Sequence, residues 1–321
     1  MLVIGSANMD IVVRAKRAPH AGETVMGLDY ALYPGGKGAN QAIAASRAGA
    51  TVKFHGALGR DAHAQALKAA LHADQIDLSA LHEAETASGV ALITVEQNGE
   101  NRIIVVPGAN AALTPETLPS HFPPRTLMLA QLEVPAATIL AAAAKIRAAG
   151  GYVVLNASPI AGLDARTRAA LLAATDIILV NETEAAMLLG TSDLLAPRAA
   201  AQMLAQGRKA AIITLGAEGV VWADQTTNGQ IAAHVIQPLD TTACGDAFAG
   251  SFAAALEAGT SIDQAVRFGN AAGALAATRK GAQPSLPTRA EILAFLEQPA
   301  PKTICLKMAN LKEKTCHATW Y

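Results

Sequence analysis

Residues 240–250, "DTTACGDAFAG", place a thiol, a glycine and an acid at consecutive positions, Cys244, Gly245 and Asp246, where small residues give way to an alanine-rich run. Three kinds of chemistry suit such a stretch. A cysteine becomes a nucleophile when a base activates it. A carboxylate accepts a proton from an attacking hydroxyl. A helix N-terminus after a loop of small residues offers free N–H groups and a positive dipole end to an anion. A structural reading stands beside these, because an acid in the first turn stabilises a helix by roughly 0.3–1 kcal/mol whatever else it does.

Three further stretches combine glycine with polar residues. In "YPGGKGANQA" (33–42) the glycines let backbone approach a ligand closely and Lys37 and Asn40 supply polar contacts, although the same glycines also describe a hinge before a helix. "NETE" (181–184) follows the apolar run "DIILV", at the strand end where open α/β sheets bind ligands. Asn181 with Glu184 three residues on is equally a capping box, and taken alone the motif favours capping. "TLGAEG" (214–219) lies between "AIIT" and "VVWA", so it either turns a hairpin or holds a nucleotide against backbone groups. The common fingerprints are missing: Gly36-Lys37 is followed by Gly38 rather than Ser or Thr, no G-x-G-x-x-G opens a helix, and no H-E-x-x-H or G-x-S-x-G occurs.

The elements that must position these residues alternate. Strand-like runs "LVIG" (2–5), "TVKFHG" (51–56), "TLML" (126–129), "YVVLN" (152–156), "DIILV" (176–180) and "AIITL" (211–215) are separated by stretches such as "DAHAQALKAALHAD" and "PAATILAAAAKIRAAG", with apolar residues at helical spacing. That pattern predicts an α/β fold, a doubly wound, mostly parallel sheet flanked by helices. Two regions break the rhythm, about 10–34 and about 88–108, the second with an "NGE" hairpin signal. They predict one small antiparallel β lid on a single domain of residues 1–298. Thr288 and Glu291 predict a capping box that opens a last helix. Composition changes at 299–321, a tail left outside the fold reading.

Of 321 residues, 51% are hydrophobic and 16% charged, with a formal net charge of −1. That suffices for a buried core and offers no basic footprint for nucleic acid or membrane. Three cysteines with no C-x-x-C exclude a disulfide framework, and no uncharged apolar run reaches the roughly 18–20 residues of a membrane span. The expected location is the cytoplasm.

Taken in order, "GSANMD", "GGKGANQA", "QLEVP", "NASP", "NETEA", "TLGAEG", "DTTACGDAFAG" and "ATRKGAQPS" resemble the ribokinase-like, or PfkB, family of carbohydrate kinases over about residues 1–297. The resemblance implies transfer of the ATP γ-phosphate to the 5-hydroxyl of D-ribose, under a β lid that also forms a homodimer contact. It implies Asp246 as general base and the backbone of Ala243, Cys244 and Gly245 as anion hole. Asn8, Asp10, Gly36, Lys37, Gly38, Ala39, Asn40 and Glu133 match the sugar site. Asn181, Thr214, Leu215, Gly216, Ala217, Glu218, Gly219, Gly245 and Asn270 match the ATP site, and Glu184 is linked to Mg²⁺ through water. Asp240, Thr242, Ala276, Arg279, Gly281 and Ser285 match a loop pair that holds a monovalent cation such as K⁺.

Within this family the Asn of the ribose kinases stands two residues before the Asp, whereas deoxyribose kinases resemble Asn-Met-Val-Asp. Asn8-Met9-Asp10 follows the first pattern and implies ribose. Cys244 departs from the usual Ala or Gly and "NASP" from Asn-Pro-Ala-Pro; a thiol at a helix N-terminus is expected to favour thiolate. Alternatives are another furanose or nucleoside kinase, a non-catalytic sugar or nucleotide sensor on the same fold, and a cysteine hydrolase, for which nothing beyond Cys244 speaks.

Overall fold

In the computed structural model the described residues are 1–190, 199–200, 202–203, 208–297 and, by backbone alone, 303–305. A nine-stranded sheet runs in the spatial order Thr303–Cys305, Asn228–Ile231, Val220–Asp224, Ala210–Thr214, Ile177–Asn181, Tyr152–Asn156, Leu127–Gln131, Leu2–Ile4, Lys53–His55. From Lys53–His55 to Ala210–Thr214 every neighbouring pair is parallel; the last three strands are antiparallel. The six strand runs read from the sequence all lie in this sheet. Thr303–Cys305 lies beyond the domain boundary expected at 298 and pairs with Asn228–Ile231. The rest of the tail, 299–302 and 306–321, is outside the described residues.

Alternation along each strand feeds two cores. Val3, Phe54, Leu129, Val154, Leu179 and Ile212 face one side, and Leu2, Ile4, Met128, Leu155, Ile178 and Ile213 face the other. A parallel sheet covered on both faces needs apolar residues at every position, which is why these strands read as continuous runs. Helix ends follow local signals. Asp61 accepts from Ala64 N–H at the start of Ala62–Ala73, and Thr288 with Glu291 closes the capping box of Arg289–Leu296.

On the first face, helices Lys37–Arg47, Cys244–Glu257 and Ile262–Ala277 pack on one another. Buried alanines and glycines let them approach closely, beside larger side chains such as Phe248 and Phe252. A Cβ on Gly250 would lie 2.4 Å from the Gln41 carbonyl oxygen and 2.6 Å from Ala44 Cβ, so the helices Lys37–Arg47 and Cys244–Glu257 touch only because this side chain is missing.

The two irregular regions form one four-stranded sheet, in the order Gly27–Gly35, Asn8–Ala15, Gly89–Glu96, Asn101–Val106. Its outer pairings are antiparallel, but the central pair, Asn8–Ala15 with Gly89–Glu96, is parallel, so the expected purely antiparallel lid is corrected to a mixed one. The reason is topological: both hairpins leave the core with their first strand, and those two first strands pair. The turn expected at "NGE" is present, with Gly99 at φ 87°.

Candidate active site

The carboxyl ends of the parallel strands gather the polar residues, as open α/β sheets require at their topological switch point. Gln131 and Asn156 end adjacent strands in register, as do Asn181 and Thr214. Helix Cys244–Glu257 aims its N-terminus at them.

That helix has no side-chain cap. Its N-cap, Ala243, is in the left-handed region at φ 59°, which brings the following N–H groups round towards one point. Cys244 N–H is engaged by the Thr241 carbonyl at 3.3 Å. Asp246 follows as the third helical residue, 7% exposed. Its Oδ2 accepts from Asn40 Nδ2 at 3.0 Å and its Oδ1 from Gln41 Nε2 at 2.9 Å. Burial pushes the pKa of its carboxyl above the usual carboxylate range, against the pull of Lys37, Gln41 and Asn40, and Glu133 adds to the rise.

Around Asp246 lies a hollow made by glycines. Asn8 is paired with Gly35 on one neighbouring strand and Gly89 on the other. A Cβ on Gly35 would lie 2.3 Å from Asp10 Oδ2, and one on Gly89 would lie 2.3 Å from Asn8 Oδ1. Asn8 and Asp10, two apart on the strand, share a face there. Asn110 donates to Asn8 Oδ1 at 2.7 Å, so the end of the Asn8 amide left for a ligand is its donor. Burial pushes the Asp10 carboxyl up to about 7, with Glu133 and Asp246 adding like charge.

Lys37 joins these acids. Burial opposes its charge, but Asp246, Glu133 and Glu184 outweigh burial and raise it. Glu133 accepts from Ser6 Oγ and from Lys37 N–H, the latter at 3.2 Å. Gly36 is at φ 89°, and Gly38 has no room for a side chain, since its Cβ would lie 2.5 Å from the Gly5 carbonyl carbon. Ala39, fully buried, donates its N–H to the Ser6 carbonyl. The residues expected for the sugar are therefore brought together.

On the other side of the helix N-terminus is a cavity of about 610 Å³, inside the roughly 300–1,000 Å³ typical of small-molecule pockets. Thr214, Gly216, Ala217, Gly219, Gly245 and Asn270, all expected at the nucleotide, line it together with Cys244. Three residues expected there do not: Asn181 caps a helix, Leu215 packs in the second core and Glu218 is exposed. The 3-10 turn that breaks the strand after Thr214 points Leu215 and Glu218 away from the cavity. "TLGAEG" turns the antiparallel hairpin between Ala210–Thr214 and Val220–Asp224, and three of its glycine and alanine positions also line the cavity. Asn181 and Glu184 form the capping box, with Glu184 Oε2 accepting from Asn181 N–H at 2.9 Å.

Asp240 ties two loops. It accepts from Thr242 N–H at 2.9 Å and from Gly281 N–H at 2.8 Å. The Ala276 carbonyl accepts from Arg279 N–H, Ser285 Oγ donates to the Ala282 carbonyl, and the Arg279 guanidinium pairs with Glu291. The oxygen-only donor set with one carboxylate suits a hard monovalent cation. Among the described residues no group of three His, Cys, Asp or Glu converges as a metal site.

One expectation is overturned. Cys244 is not disposed to thiolate: burial pushes its thiol up to about 11, with Asp240 and Asp246 adding negative charge nearby. The dipole of the helix is outweighed chiefly by burial, which sequence does not bring into view, and by the two acids of the same stretch.

Six residues of the site carry no signal in the sequence. Gln41 and Gln131 are fully buried amides in the Asp246 network, and Asn110 orients Asn8. Ala233, His234 and Ile236 wall the cavity. Gln41 stands inside a quoted motif, where the Asp246 hydrogen bond across 205 residues had no local mark.

A pfkB family carbohydrate kinase model matches residues 1–289. Ribokinase of Haemophilus influenzae is 38% identical over 304 residues, covering 92% of this chain and 98% of that protein. The crystal structure of ribokinase from Thermotoga maritima superposes with a TM-score of 0.84 at 33% identity, over 92% of this chain and 99% of that one. Arabidopsis thaliana ribokinase complexed with ribose and ATP gives 0.82 at 31%, over 93% and 98%. With a buried carboxylate between a glycine-walled hollow and a nucleotide-sized cavity, and with matches over nearly its whole length, the chain belongs to the pfkB family of carbohydrate kinases.

Proposed function

We propose that this kinase transfers the γ-phosphate of ATP to O5 of D-ribose, giving D-ribose 5-phosphate. The observation that carries the reading is the position of Asp246, buried at a helix N-terminus between the Asn8–Asp10 hollow and the 610 Å³ cavity. The Arabidopsis relative complexed with ribose and ATP supports it.

Asp246 accepts the proton of the 5-hydroxyl as the oxygen attacks the γ-phosphorus in line and the bond to the β-phosphate oxygen breaks. The backbone of Ala243, Cys244 and Gly245 faces the charge spread over the transferring group, Gly245 having no intrahelical acceptor. Lys37 supplies positive charge on the sugar side. Asn8, with its donor end free, meets a ribose hydroxyl; Asp10, Asn40 and Glu133 accept from or donate to the others. Thr214, Gly216, Ala217, Gly219 and Asn270 hold the nucleotide.

Asn181 and Glu184 would hold Mg²⁺ through water, and the ion would neutralise phosphate charge on ATP. Asp240 and the loop pair it ties at Gly281 would hold K⁺, whose charge would steady the turn that carries Ala243 and so the anion hole. Residues 1–298 act as one α/β unit with its lid, and the lid is also the homodimer contact: Tyr30 is 71% and Ile104 65% exposed on it, apolar area that a second copy would cover. No described helix is long and apolar enough to cross a membrane, and the proposed location is the cytoplasm.

A phosphoryl-transfer assay with ribose, 2-deoxyribose, fructose and adenosine, with and without K⁺ at constant ionic strength, tests the reading. Ribose is preferred and K⁺ raises the rate. Equal turnover of ribose and 2-deoxyribose refutes the role of Asn8, and indifference to K⁺ with Asp240 intact refutes the cation site.

A further inference from the structure

Asp246 Oδ1 has one partner, the Gln41 amide. Gln41 is fully buried, and both ends of its amide are engaged. Nε2 donates to Asp246 Oδ1 at 2.9 Å and to Asn156 Oδ1 at 3.0 Å, while Oε1 accepts from Gln131 Nε2 at 2.5 Å. Asn156 in turn donates its Nδ2 to the Leu179 carbonyl at 3.3 Å, which leaves its oxygen turned to Gln41. Gln131 is also fully buried, and its Oε1 has no partner, lying 1.9 Å from where a Cβ on Gly5 would stand.

The direction of this chain is not free. An ionised carboxylate only accepts, so Gln41 must present N–H to it; Gln41 then presents oxygen to Gln131, which must donate. Gln131 and Gln41 are turned so that their hydrogens point along the chain towards Asp246, and Asn156 turns its oxygen to Gln41. The unpartnered Gln131 oxygen is the cost of that polarity, since a buried carbonyl without a donor is unfavourable by about 1–3 kcal/mol. A purely structural filler would not need it.

We infer that Gln41 is a positioning residue for phosphoryl transfer: clamped by Gln131 and Asn156, its amide delivers a fixed N–H to Asp246 Oδ1 that keeps the acid ionised and its oxygens aimed. The inference rests on Asp246 being the general base. Gln41 and Gln131 touch neither the hollow nor the cavity; they act through Asp246.

The charged and titratable groups facing Asp246 are Lys37 from the Lys37–Arg47 helix, Glu133 after the Leu127–Gln131 strand, Asp10 from the lid strand and Cys244 from its own helix. Lys37 and the neutral donors Asn40 and Gln41 favour the carboxylate; burial and Glu133 oppose it. Removing the Gln41 donor shifts that balance towards the protonated acid, so activity that needs the carboxylate is lost at a higher pH as pH falls.

The test compares kcat and KM for the sugar against pH in the wild type, Gln41→Met, Gln131→Met and Asp246→Asn, with folding checked by thermal unfolding. Gln41→Met is expected to move the acid limb of kcat up by about 1–2 pH units, the equivalent of a hydrogen bond to a charged group. KM stays near the wild-type value and most of kcat returns at high pH. Gln131→Met, which frees Gln41 to turn, moves the limb the same way by less. A packing role would instead lower kcat at every pH. If Gln41→Met does not fold, Gln131→Met decides alone. Folded variants whose acid limb stays at the wild-type position overturn the inference while leaving Asp246 as base; an active Asp246→Asn overturns the base and the inference together.

Discussion

Asp10 and Asp246 are neighbouring acids that differ in support: Asp246 has two amide donors, whereas Asp10 faces Glu133 and Asp246 as like charges. With its carboxyl up at about 7, folded Asp10 retains a proton that the unfolded chain has lost between roughly pH 4 and 7. Its contribution to folding is therefore full at low pH and lost as pH rises through about 7. Without sugar, Asp10→Asn should flatten the difference in Tm between pH 5 and pH 8; an unchanged slope would remove Asp10 from that role. Asp246→Asn should lower kcat by at least ~10²-fold, the lower end for a general base, with ribose binding retained. For Cys244, Cys244→Ala should stay active. In a background lacking Cys305 and Cys316, iodoacetamide inactivation should be slow near neutrality and climb about tenfold per pH unit as thiolate accumulates. A plateau already reached at pH 8 would contradict a thiol raised to about 11.

Between elements, the decisive contact is Gly250 against Gln41 and Ala44. Gly250→Ala puts a methyl onto a backbone oxygen that has no rotamer to change, so the helices must part. We expect a loss of about 1–3 kcal/mol, as in other overpacked cores. Gln41 moves off Asp246 at the same time, so kcat should fall further than the unfolded fraction explains; a stability loss with kcat intact would separate the two effects. What was legible beforehand follows sequence distance. The capping boxes at Asn181–Glu184 and Thr288–Glu291 join residues three apart and could be read directly. The Gln131–Gln41–Asp246 chain spans separations of 90 and 205 residues, and the parallel pairing of the lid joins hairpins about as far apart; neither leaves a local pattern. Glycine was legible as "GGKG" but not at Gly89, whose purpose is set by Asn8 on the neighbouring strand and Asn110 in the 3-10 turn Gly108–Ala112.

For the molecule as a whole, the lid carries Asn8 and Asp10 as well as the exposed apolar side chains, so in the proposed dimer assembly and sugar binding would meet in the lid. Charged substitutions at Tyr30 and Ile104, read by light scattering, should give monomers if the lid joins two copies; a dimer that survives them would place the contact elsewhere. The mixed pairing of the lid has a mechanical consequence. Both hairpins are rooted at one edge, and Asn8 and Asp10 are the first and third residues of an eight-residue strand. At about 3.3 Å per residue, Asp10 stands about 7 Å from the root and Ala15 about 23 Å. Such a plate, if turned, would pivot at its base, where displacement is smallest. A rotation that sweeps the outer rim through several ångströms would move the sugar contacts by about a third as much, so the hollow keeps its shape whether the plate is raised or lowered.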